Sequence, residues 1–218
     1  MFPPPESSDS GPAPEPQTHP STGGTVHRER PFLTSPSRQY HNVALVGFMG
    51  VGKSTVGNLL ADILGFELID TDKVIEQKEG KRISELFALH GEPYFRACEA
   101  ALVAELATAK QKIISTGGGM ITNPANLESL RCHSLIACLW ASPETIFERV
   151  KNQTHRPLLQ APDPLAKIRE LMTLRTPVYR EAADIMVGVD YRHAPEVARH
   201  IAKSFQDAAK SRPNAAVL

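Results

Sequence analysis

The chain has 218 residues, 41% hydrophobic and 22% charged, which suits one globular domain with a proper core. Its formal net charge of zero argues against a general nucleic-acid binder, because that class carries a basic excess. No apolar run approaches the roughly 20 residues of a membrane helix, and the N-terminus has no secretory apolar segment. The three cysteines form no CxxC pair, so we expect reduced thiols in a cytoplasmic protein without a membrane partner.

The first 40 residues differ in composition from the rest of the chain. Half of the 18 prolines lie within the first 36 residues, among Ser, Thr, Gly and Glu. Such a stretch has too few large apolar groups to offset the entropy lost on ordering. We predict a disordered arm over residues 1–40, a folded domain over 41–211 and a flexible tail over 212–218.

Beyond the arm, short apolar runs alternate with longer amphipathic ones. Strands are predicted at 42–48, 66–69, 112–115, 134–139 and 184–187. A helix with an apolar face follows the first strand, and others are predicted at 73–79, 83–90, 92–107, 143–151, 164–181 and 195–209. The alternation predicts a three-layer α/β/α fold with a five-stranded parallel sheet covered on both faces. Ligands of such sheets bind beyond the carboxyl ends of the strands.

The segment GFMGVGKST, residues 47–55, matches the phosphate-binding pattern GxxxxGK[ST] and lies directly between a predicted strand and a predicted helix. Its backbone N–H groups would surround phosphate oxygens, Lys53 would reach the β- and γ-phosphates, and the Ser54 hydroxyl would ligate Mg²⁺. The chain has no guanine-reading NKxD segment, so ATP is the expected nucleotide. The predicted ATP contacts are Gly50, Val51, Gly52, Lys53, Ser54 and Thr55.

Two more motifs follow predicted strands. In Asp70-Thr71-Asp72, Asp70 can hold Mg²⁺ through its water shell, and Asp72 can accept a hydrogen bond or a proton from an attacking hydroxyl. Helix capping is the structural alternative for an Asp at a strand-to-helix junction. In residues 116–119, TGGG, three consecutive glycines favour a close approach of backbone to ligand over a merely tight turn.

Three arginines could bind an anionic substrate, because the guanidinium fork grips carboxylate or phosphate at two points. Arg96 lies at a helix start, Arg156 in a proline-bearing loop and Arg175 in LRTP. For any single arginine a surface ion pair is the simpler interpretation, and Glu92 with Arg96 is the obvious one. The functional interpretation depends on the three together.

From Asn42 to the final helix, the chain resembles the shikimate kinase family. The resemblance is carried by GFMGVGKST, DTD, GEPYFR with Glu99 after it, TGGG, HRPLL and RTPVY, in that order. It implies a P-loop kinase fold like that of nucleoside monophosphate kinases. It also implies transfer of the ATP γ-phosphoryl group to the 3-hydroxyl of shikimate with Mg²⁺, a step towards chorismate and the aromatic amino acids.

The same resemblance implies roles by position. Asp72 would bind the acceptor hydroxyl and serve as base, with Lys53 and Arg156 as further catalytic residues and Asp70 and Ser54 on the metal. Arg156 would belong to a lid over about 152–163, and Arg149 would lie beside the adenine. Glu99 would orient Arg96. Shikimate would contact Asp72, Arg96, Arg175, Gly117, Gly118 and Gly119, in a pocket lined by Ile83, Phe87, Phe95 and Leu158.

Three alternatives stay open at this point. Gluconate kinase shares the P-loop and a carboxylate-bearing polyol substrate. A nucleotide kinase fits less well, because the acceptor pocket suits a compact acid rather than a base. A non-catalytic ATP-binding module would not need Lys53, Ser54, Asp70 and Asp72 together. The expected partners are ATP and shikimate, with no nucleic acid, and the expected state is a monomer.

Overall fold

The centre of the molecule is a parallel β-sheet. The computed structural model describes residues 38, 40–152 and 161–210. The five strands follow the order β2-β3-β1-β4-β5, and every pairing is parallel. They are β1 (Asn42–Val46), β2 (Glu67–Asp70), β3 (Lys112–Ser115), β4 (Ser134–Trp140) and β5 (Ile185–Gly188). All five residues of β1 are buried, so both faces of the sheet are covered at its centre, and the predicted five-stranded parallel sheet is confirmed.

Seven α-helices accompany the sheet in the described part of the chain. They are α1 (Lys53–Leu64), α2 (Thr71–Glu79), α3 (Ile83–Leu106), α4 (Pro124–His133), α5 (Pro143–Val150), α6 (Pro164–Ala182) and α7 (Ala194–Lys210). Contacts join α1 to α7, α2 to α3 and α5 to α6. No helix in residues 40–152 or 161–210 is long and apolar enough to cross a membrane.

Helix α3 changes direction at Gly91, where the sequence predicts a break between two helices. The backbone at Gly91 has φ 77° and ψ 176°, outside the helical region, and Pro93 follows in the next turn. Glycine reaches positive φ at little cost, and proline starts a helix readily because it needs no N–H donor there. Arg96 therefore lies in the first turns of the second segment, near the sheet edge.

Helix α4 and a short 3-10 helix, Met120–Thr122, are absent from the sequence-based prediction. The sequence does contain a start signal for α4. The Asn123 side chain accepts a hydrogen bond from the N–H of Ala125 at 3.0 Å, and Pro124 occupies the first helical position. Asn at the N-cap followed by Pro is a recognised helix beginning. The helix was missed because few of its residues are apolar, which leaves little periodicity to detect.

Arg38 links the segment before β1 to Asp184, which directly precedes β5. Its guanidinium donates to both carboxylate oxygens of Asp184 at 2.6 and 2.7 Å and to the carbonyl oxygen of Arg131 at 2.8 Å. It also lies 5.1 Å from the ring centroid of Tyr40. The side chains of Arg38 and Asp184 are only 14% and 12% exposed. We therefore propose that the domain begins at Arg38 rather than at residue 41, with the predicted arm and tail otherwise outside the described residues.

Replacing Arg38 with Ala should lower the free energy of unfolding by about 1–3 kcal/mol, because Asp184 would stay nearly buried without its partner. Deleting residues 1–37 should leave the free energy of unfolding unchanged. Urea denaturation of both variants checks this, with Arg180→Ala as the control because Arg180 is an exposed arginine on α6. Equal stability of Arg38→Ala and the control would contradict the placement of Arg38 in the domain.

The amino edge of the sheet holds a buried histidine whose tautomer is set by Asn42. The Asn42 Oδ1 atom accepts from the N–H of Lys112 at 2.9 Å, and Nδ2 donates to the carbonyl of Ala109 at 2.7 Å. The second N–H of Nδ2 therefore points to His133 Nδ1, 2.9 Å away, and that nitrogen must accept. Burial, and secondly the charge of His41, lower the pKa of His133. The neutral imidazole is thus the form that fits.

A pH dependence of stability follows from this lowered pKa. An unfolded histidine titrates near 6.5, so the contribution of neutral His133 is fully present above that pH and is lost as the pH falls below it. Chemical denaturation between pH 7.5 and 5 should show stability falling more steeply in the parent protein than in His133→Gln. His193→Gln, at an exposed histidine, is the control and should keep the parent slope. Identical slopes for all three proteins would contradict the account.

Candidate active site

The phosphate loop between β1 and α1 depends on three glycines with positive φ. Gly47, Gly50 and Gly52 have φ of 139°, 69° and 104°. A β-carbon would lie 2.4 Å from the Leu139 carbonyl oxygen at Gly47 and 2.4 Å from Val150 Cγ1 at Gly50, so these two positions also lack room for a side chain. Helix α1 starts after Gly52 without a side-chain cap. Its first N–H groups are therefore left for an anion.

Lys53 and Ser54 open helix α1 and face two different neighbours. The Lys53 ammonium donates to the carbonyl oxygens of Gly47 and Phe48, at 2.8 and 2.9 Å, and so lies across the loop. The Ser54 hydroxyl donates to Asp70 Oδ2 at 3.1 Å. Asp70 also caps α2 through the N–H of Lys73. Asp70 therefore has both of the roles considered for it from the sequence: it caps α2, and it contacts a serine of the phosphate loop.

The Ser54 and Asp70 pair suits a magnesium ion. Among the described residues there is no cluster of three or more His, Cys, Asp or Glu side chains that could hold a metal by themselves. Mg²⁺ at kinase sites typically takes one or two protein oxygens and fills its remaining positions with water and substrate phosphates. A hydroxyl and a carboxylate that already share a hydrogen bond beside the phosphate loop meet that requirement.

The three glycines after β3 each lie against a different charged side chain from the sequence prediction. A β-carbon at Gly117 would lie 2.6 Å from Asp72 Oδ1, and one at Gly119 would lie 2.6 Å from Arg96 Nη1. At Gly118 the position is 3.6 Å from Arg175 Nη1. From the sequence, contact with a ligand was the expected reason for these glycines. In the structure, Gly117 and Gly119 also leave room for the side chains of Asp72 and Arg96, whereas a β-carbon at Gly118 would be in ordinary contact with Arg175.

Thr71, between the two aspartates, holds this turn to the start of α2. Its buried hydroxyl accepts from the N–H of Gly117 at 3.0 Å and donates to the carbonyl of Ser115 at 3.3 Å. No role was predicted for Thr71 from the sequence. A signal was available, because a hydroxyl residue between two carboxylates at a strand end is well placed to bond a neighbouring turn. Thr71 thereby fixes the distance between Asp72 and the glycines.

Arg96 is held by two glutamates on its own helix. Its guanidinium donates to Glu99 Oε2 at 2.7 Å and to Glu92 Oε1 at 2.7 Å. The Glu99 side chain is 1% exposed, whereas that of Glu92 is 61% exposed. The surface pair and the orienting pair considered from the sequence both exist. Since exposed pairs contribute little and buried ones fix geometry, Glu99 is the partner that sets the position of Arg96.

Glu99 also faces the site with its second oxygen. A β-carbon at Gly117 would lie 3.1 Å from Glu99 Oε1, which has no hydrogen-bond partner among the described residues. Burial is the main cause that raises the pKa of Glu99, and the negative charge of Asp72 adds to it, while Arg96 opposes the shift. Arg96, Glu99 and Asp72 thus form one coupled group of charges around Gly117.

Two phenylalanines from α3 stand beside Arg96. The rings of Phe87 and Phe95 lie 5.0 Å apart, and the Arg96 guanidinium lies 5.7 Å from the Phe95 ring centroid. Phe95 is buried, but Phe87 is 37% exposed, which is unusual for a large apolar ring. Ile83 is half-buried in the first turn of the same helix. The apolar wall expected from the sequence is therefore next to the charged group and partly open to solvent.

Arg149, on α5, contacts the phosphate loop at Val51. Its guanidinium donates to the carbonyl of Val51 at 3.0 Å and to the carbonyl of Val189 at 3.2 Å, so it connects the loop with the end of β5. This position is compatible with the base end of a nucleotide whose phosphates fill the loop. Arg156 and Leu158, with most of the predicted lid, lie outside the described residues.

Comparison with known proteins gives a consistent result. A family model described as shikimate kinase matches residues 49–206. A shikimate kinase from Thermodesulfovibrio yellowstonii is 42% identical over 165 residues, covering 76% of this chain and 95% of the relative. One from Thiobacillus denitrificans is 48% identical over 146 residues, covering 67% and 80%.

A solved structure supports the same family assignment as these sequence matches. The shikimate kinase from Acinetobacter baumannii in complex with shikimate superposes with a TM-score of 0.74 at 36% identity, covering 79% of this chain and 97% of that one. The region matched by the family model includes residues 49–55 of the phosphate loop, both aspartates, the glycine turn, and Arg96, Arg149 and Arg175. The chain therefore belongs to the shikimate kinase family.

Proposed function

We propose that this chain transfers the γ-phosphoryl group of ATP to the 3-hydroxyl of shikimate and so serves the pathway to chorismate and the aromatic amino acids. As a member of the shikimate kinase family it is a small-molecule kinase with ATP as co-substrate. The observation that carries the residue assignments is the turn at Gly117, Gly118 and Gly119. Its three positions lie against one carboxylate and two guanidinium groups, a set that matches a hydroxylated acid.

The phosphate loop would hold ATP. The N–H groups of Gly50, Val51 and Gly52 and the start of α1 surround the phosphates, with Thr55 in the first turn of the helix. Lys53 would leave its two carbonyl partners and turn to the β- and γ-phosphate oxygens, where its charge offsets the negative charge of the transferring group.

Mg²⁺ would be held by Ser54 directly and by Asp70 through water. When bound, the ion would supply positive charge that offsets the negative charge of the phosphate groups. Asp70 accepts a hydrogen bond from the Ser54 hydroxyl, which leaves the oxygen lone pairs of Ser54 available for the ion. Asp70 in turn is fixed by the N–H of Lys73.

Asp72 would act as the base. In the transfer, the shikimate 3-hydroxyl oxygen forms a bond to the γ-phosphorus, the bond from that phosphorus to the bridging oxygen breaks, and ADP leaves. The hydroxyl proton goes to Asp72. Gly117 and Thr71 keep this carboxylate against the turn, so its position is set before substrate arrives.

The two arginines would grip the shikimate carboxylate. Arg96 is preoriented by Glu99, and Arg175 approaches from α6 on the other side of the turn. Phe87 and Phe95 would supply an apolar wall for the ring, along with Ile83 and Leu158. Holding the acid at its carboxylate would fix which hydroxyl faces the phosphate loop, and this would give the reaction its position specificity.

A lid over about 152–163 would complete the site. Arg156 would bring a further positive charge to the transferring phosphoryl, and closure would exclude water that otherwise hydrolyses ATP. We also propose that the protein is a cytoplasmic monomer that binds no nucleic acid; the zero net charge supports the last point.

The direct test is ADP release from MgATP with shikimate, with gluconate and without an acceptor. Gluconate is the informative comparison because it too carries a carboxylate and several hydroxyls. We expect turnover with shikimate alone. Equal turnover with gluconate, or none with either acid, would overturn the substrate assignment.

A further inference from the structure

We propose that Phe48 and Tyr179 are positioning residues for Arg175, which hold its guanidinium between the phosphate loop and the glycine turn without neutralising its charge. The proposal deepens the proposed function, since it concerns how the carboxylate-binding arginine is kept in place. Neither residue touches the reacting atoms in the mechanism above.

The two carboxylate-binding arginines are supported in different ways. Arg96 has Glu99 and Glu92 as ion-pair partners. Arg175 forms no salt bridge with any carboxylate in the described ranges, although it is half-buried. A guanidinium that is free of protein carboxylates keeps its full charge for a substrate anion. It then needs some other support to keep a long, flexible side chain in one orientation.

Phe48 supplies the first support. It is the second residue of the phosphate loop, and its ring is only 3% exposed. The Arg175 Cζ atom lies 5.6 Å from the ring centroid, within the range of a cation–π interaction. The loop backbone around Phe48 is fixed by Gly47, which has φ 139° and no room for a β-carbon. The buried ring of Phe48 therefore has a fixed position next to the Arg175 guanidinium.

Tyr179 supplies the second support. It lies one helical turn after Arg175 on α6, so the two side chains share a face. Its hydroxyl is buried and donates to the carbonyl oxygen of Gly118 at 2.7 Å. Gly118 is the glycine whose β-carbon position lies 3.6 Å from Arg175 Nη1 and 3.7 Å from the Tyr179 hydroxyl oxygen. This hydrogen bond links α6 to the glycine turn at Gly118, the residue that Arg175 also approaches.

The pKa of Tyr179 agrees with a hydroxyl that stays protonated and donates to Gly118. Burial raises the pKa of Tyr179 to about 12, although the nearby charge of Arg175 acts in the opposite direction. The hydroxyl therefore keeps its proton at neutral pH and continues to donate to Gly118. Because it is neutral, it adds no negative charge that would compete with a substrate carboxylate for Arg175.

The test uses the full chain and measures KM for shikimate, KM for ATP and kcat. Tyr179→Phe keeps the ring and loses the hydroxyl, and Phe48→Leu keeps an apolar group and loses the π face. Each should raise KM for shikimate about 3- to 10-fold, the effect expected from losing one hydrogen bond or one cation–π contact. The KM for ATP should change less than KM for shikimate, and Phe48→Tyr should restore the parent value.

A double-mutant cycle separates this role from a general loss of structure. If both residues act through Arg175, adding either substitution to Arg175→Ala should have no further effect on KM for shikimate. Unchanged KM in the single variants, or an effect of the same size with and without Arg175, would overturn the proposal. A parent protein that does not turn over shikimate would instead overturn the proposed function, so the two failures are distinguishable.

Discussion

Asp72→Asn is expected to lower kcat with shikimate by roughly 100- to 10,000-fold, the usual contribution of a positioned general base. The amide has the same shape as the carboxylate, so it fits beside Gly117, where the carboxylate oxygen lies 2.6 Å from the β-carbon position. It cannot take the proton of the attacking hydroxyl. The phosphate loop is untouched, so ATP should bind as in the parent protein.

Two measurements complete this prediction. Nucleotide binding by calorimetry should be unchanged in Asp72→Asn while turnover is lost. Asp62→Asn, at an exposed aspartate on α1, is the matched control and should keep full activity. A fully active Asp72→Asn would contradict the role of base. A parent protein that binds ATP but turns over no acceptor would favour a non-catalytic ATP-binding module.

Arg175→Ala is expected to weaken shikimate binding by roughly 2–4 kcal/mol, the cost of removing one partner of a buried charge pair. This corresponds to a loss of affinity of roughly 30- to 1,000-fold. The effect should be large because Arg175 brings an uncompensated guanidinium to the glycine turn, at 3.6 Å from the β-carbon position of Gly118. Truncation would leave the substrate carboxylate with Arg96 alone.

Helix α6 offers a matched control for this variant. Arg169 is on the same helix, and its ion pair with Glu144 at 2.7 Å is exposed at both ends. Arg169→Ala should leave shikimate affinity within about twofold, since exposed pairs contribute little. Isothermal titration in the presence of ADP would measure both variants. Equal affinities for the two would show that the pocket is wrongly assigned.

The fold could be predicted from the sequence because its strands are buried and its helices are amphipathic. The sequence of β1 is a nearly continuous apolar run, and its five residues are all buried between two layers. The break at Gly91 was visible because a glycine and a proline stand together there. Helix α4 was not, because Leu130 is its only fully buried large apolar residue and the pattern has no period.

The site could be predicted only in part. The phosphate loop is local, so its residues are contiguous in the sequence and its geometry follows from them. The charged group around the glycine turn is not local: Asp72, Arg96 and Arg175 come from three helices and meet only through the topology of the sheet. Residue type and motif singled these residues out in the sequence, and the resemblance implied their roles. The reason for Gly117 and Gly119, which is space for the side chains of Asp72 and Arg96, required the structure.

The supporting residues were the hardest to foresee. Thr71, Tyr179 and Phe48 act through hydrogen bonds and ring contacts with residues 46 to 127 positions away in the chain. Nothing in their local sequence distinguishes a Tyr that fastens a helix to a turn from a Tyr that fills a core. Their roles follow from partners that the chain brings together only on folding.

The measurement that tests the account most directly is identification of the product formed from MgATP and shikimate by ³¹P and ¹H nuclear magnetic resonance. We expect one phosphorylated product with the phosphate on the 3-hydroxyl, formed in equal amount to ADP and absent when Asp72 is replaced with Asn. Phosphate on another hydroxyl, or ADP and free phosphate without a shikimate product, would contradict the arrangement proposed around Asp72, Arg96 and Arg175.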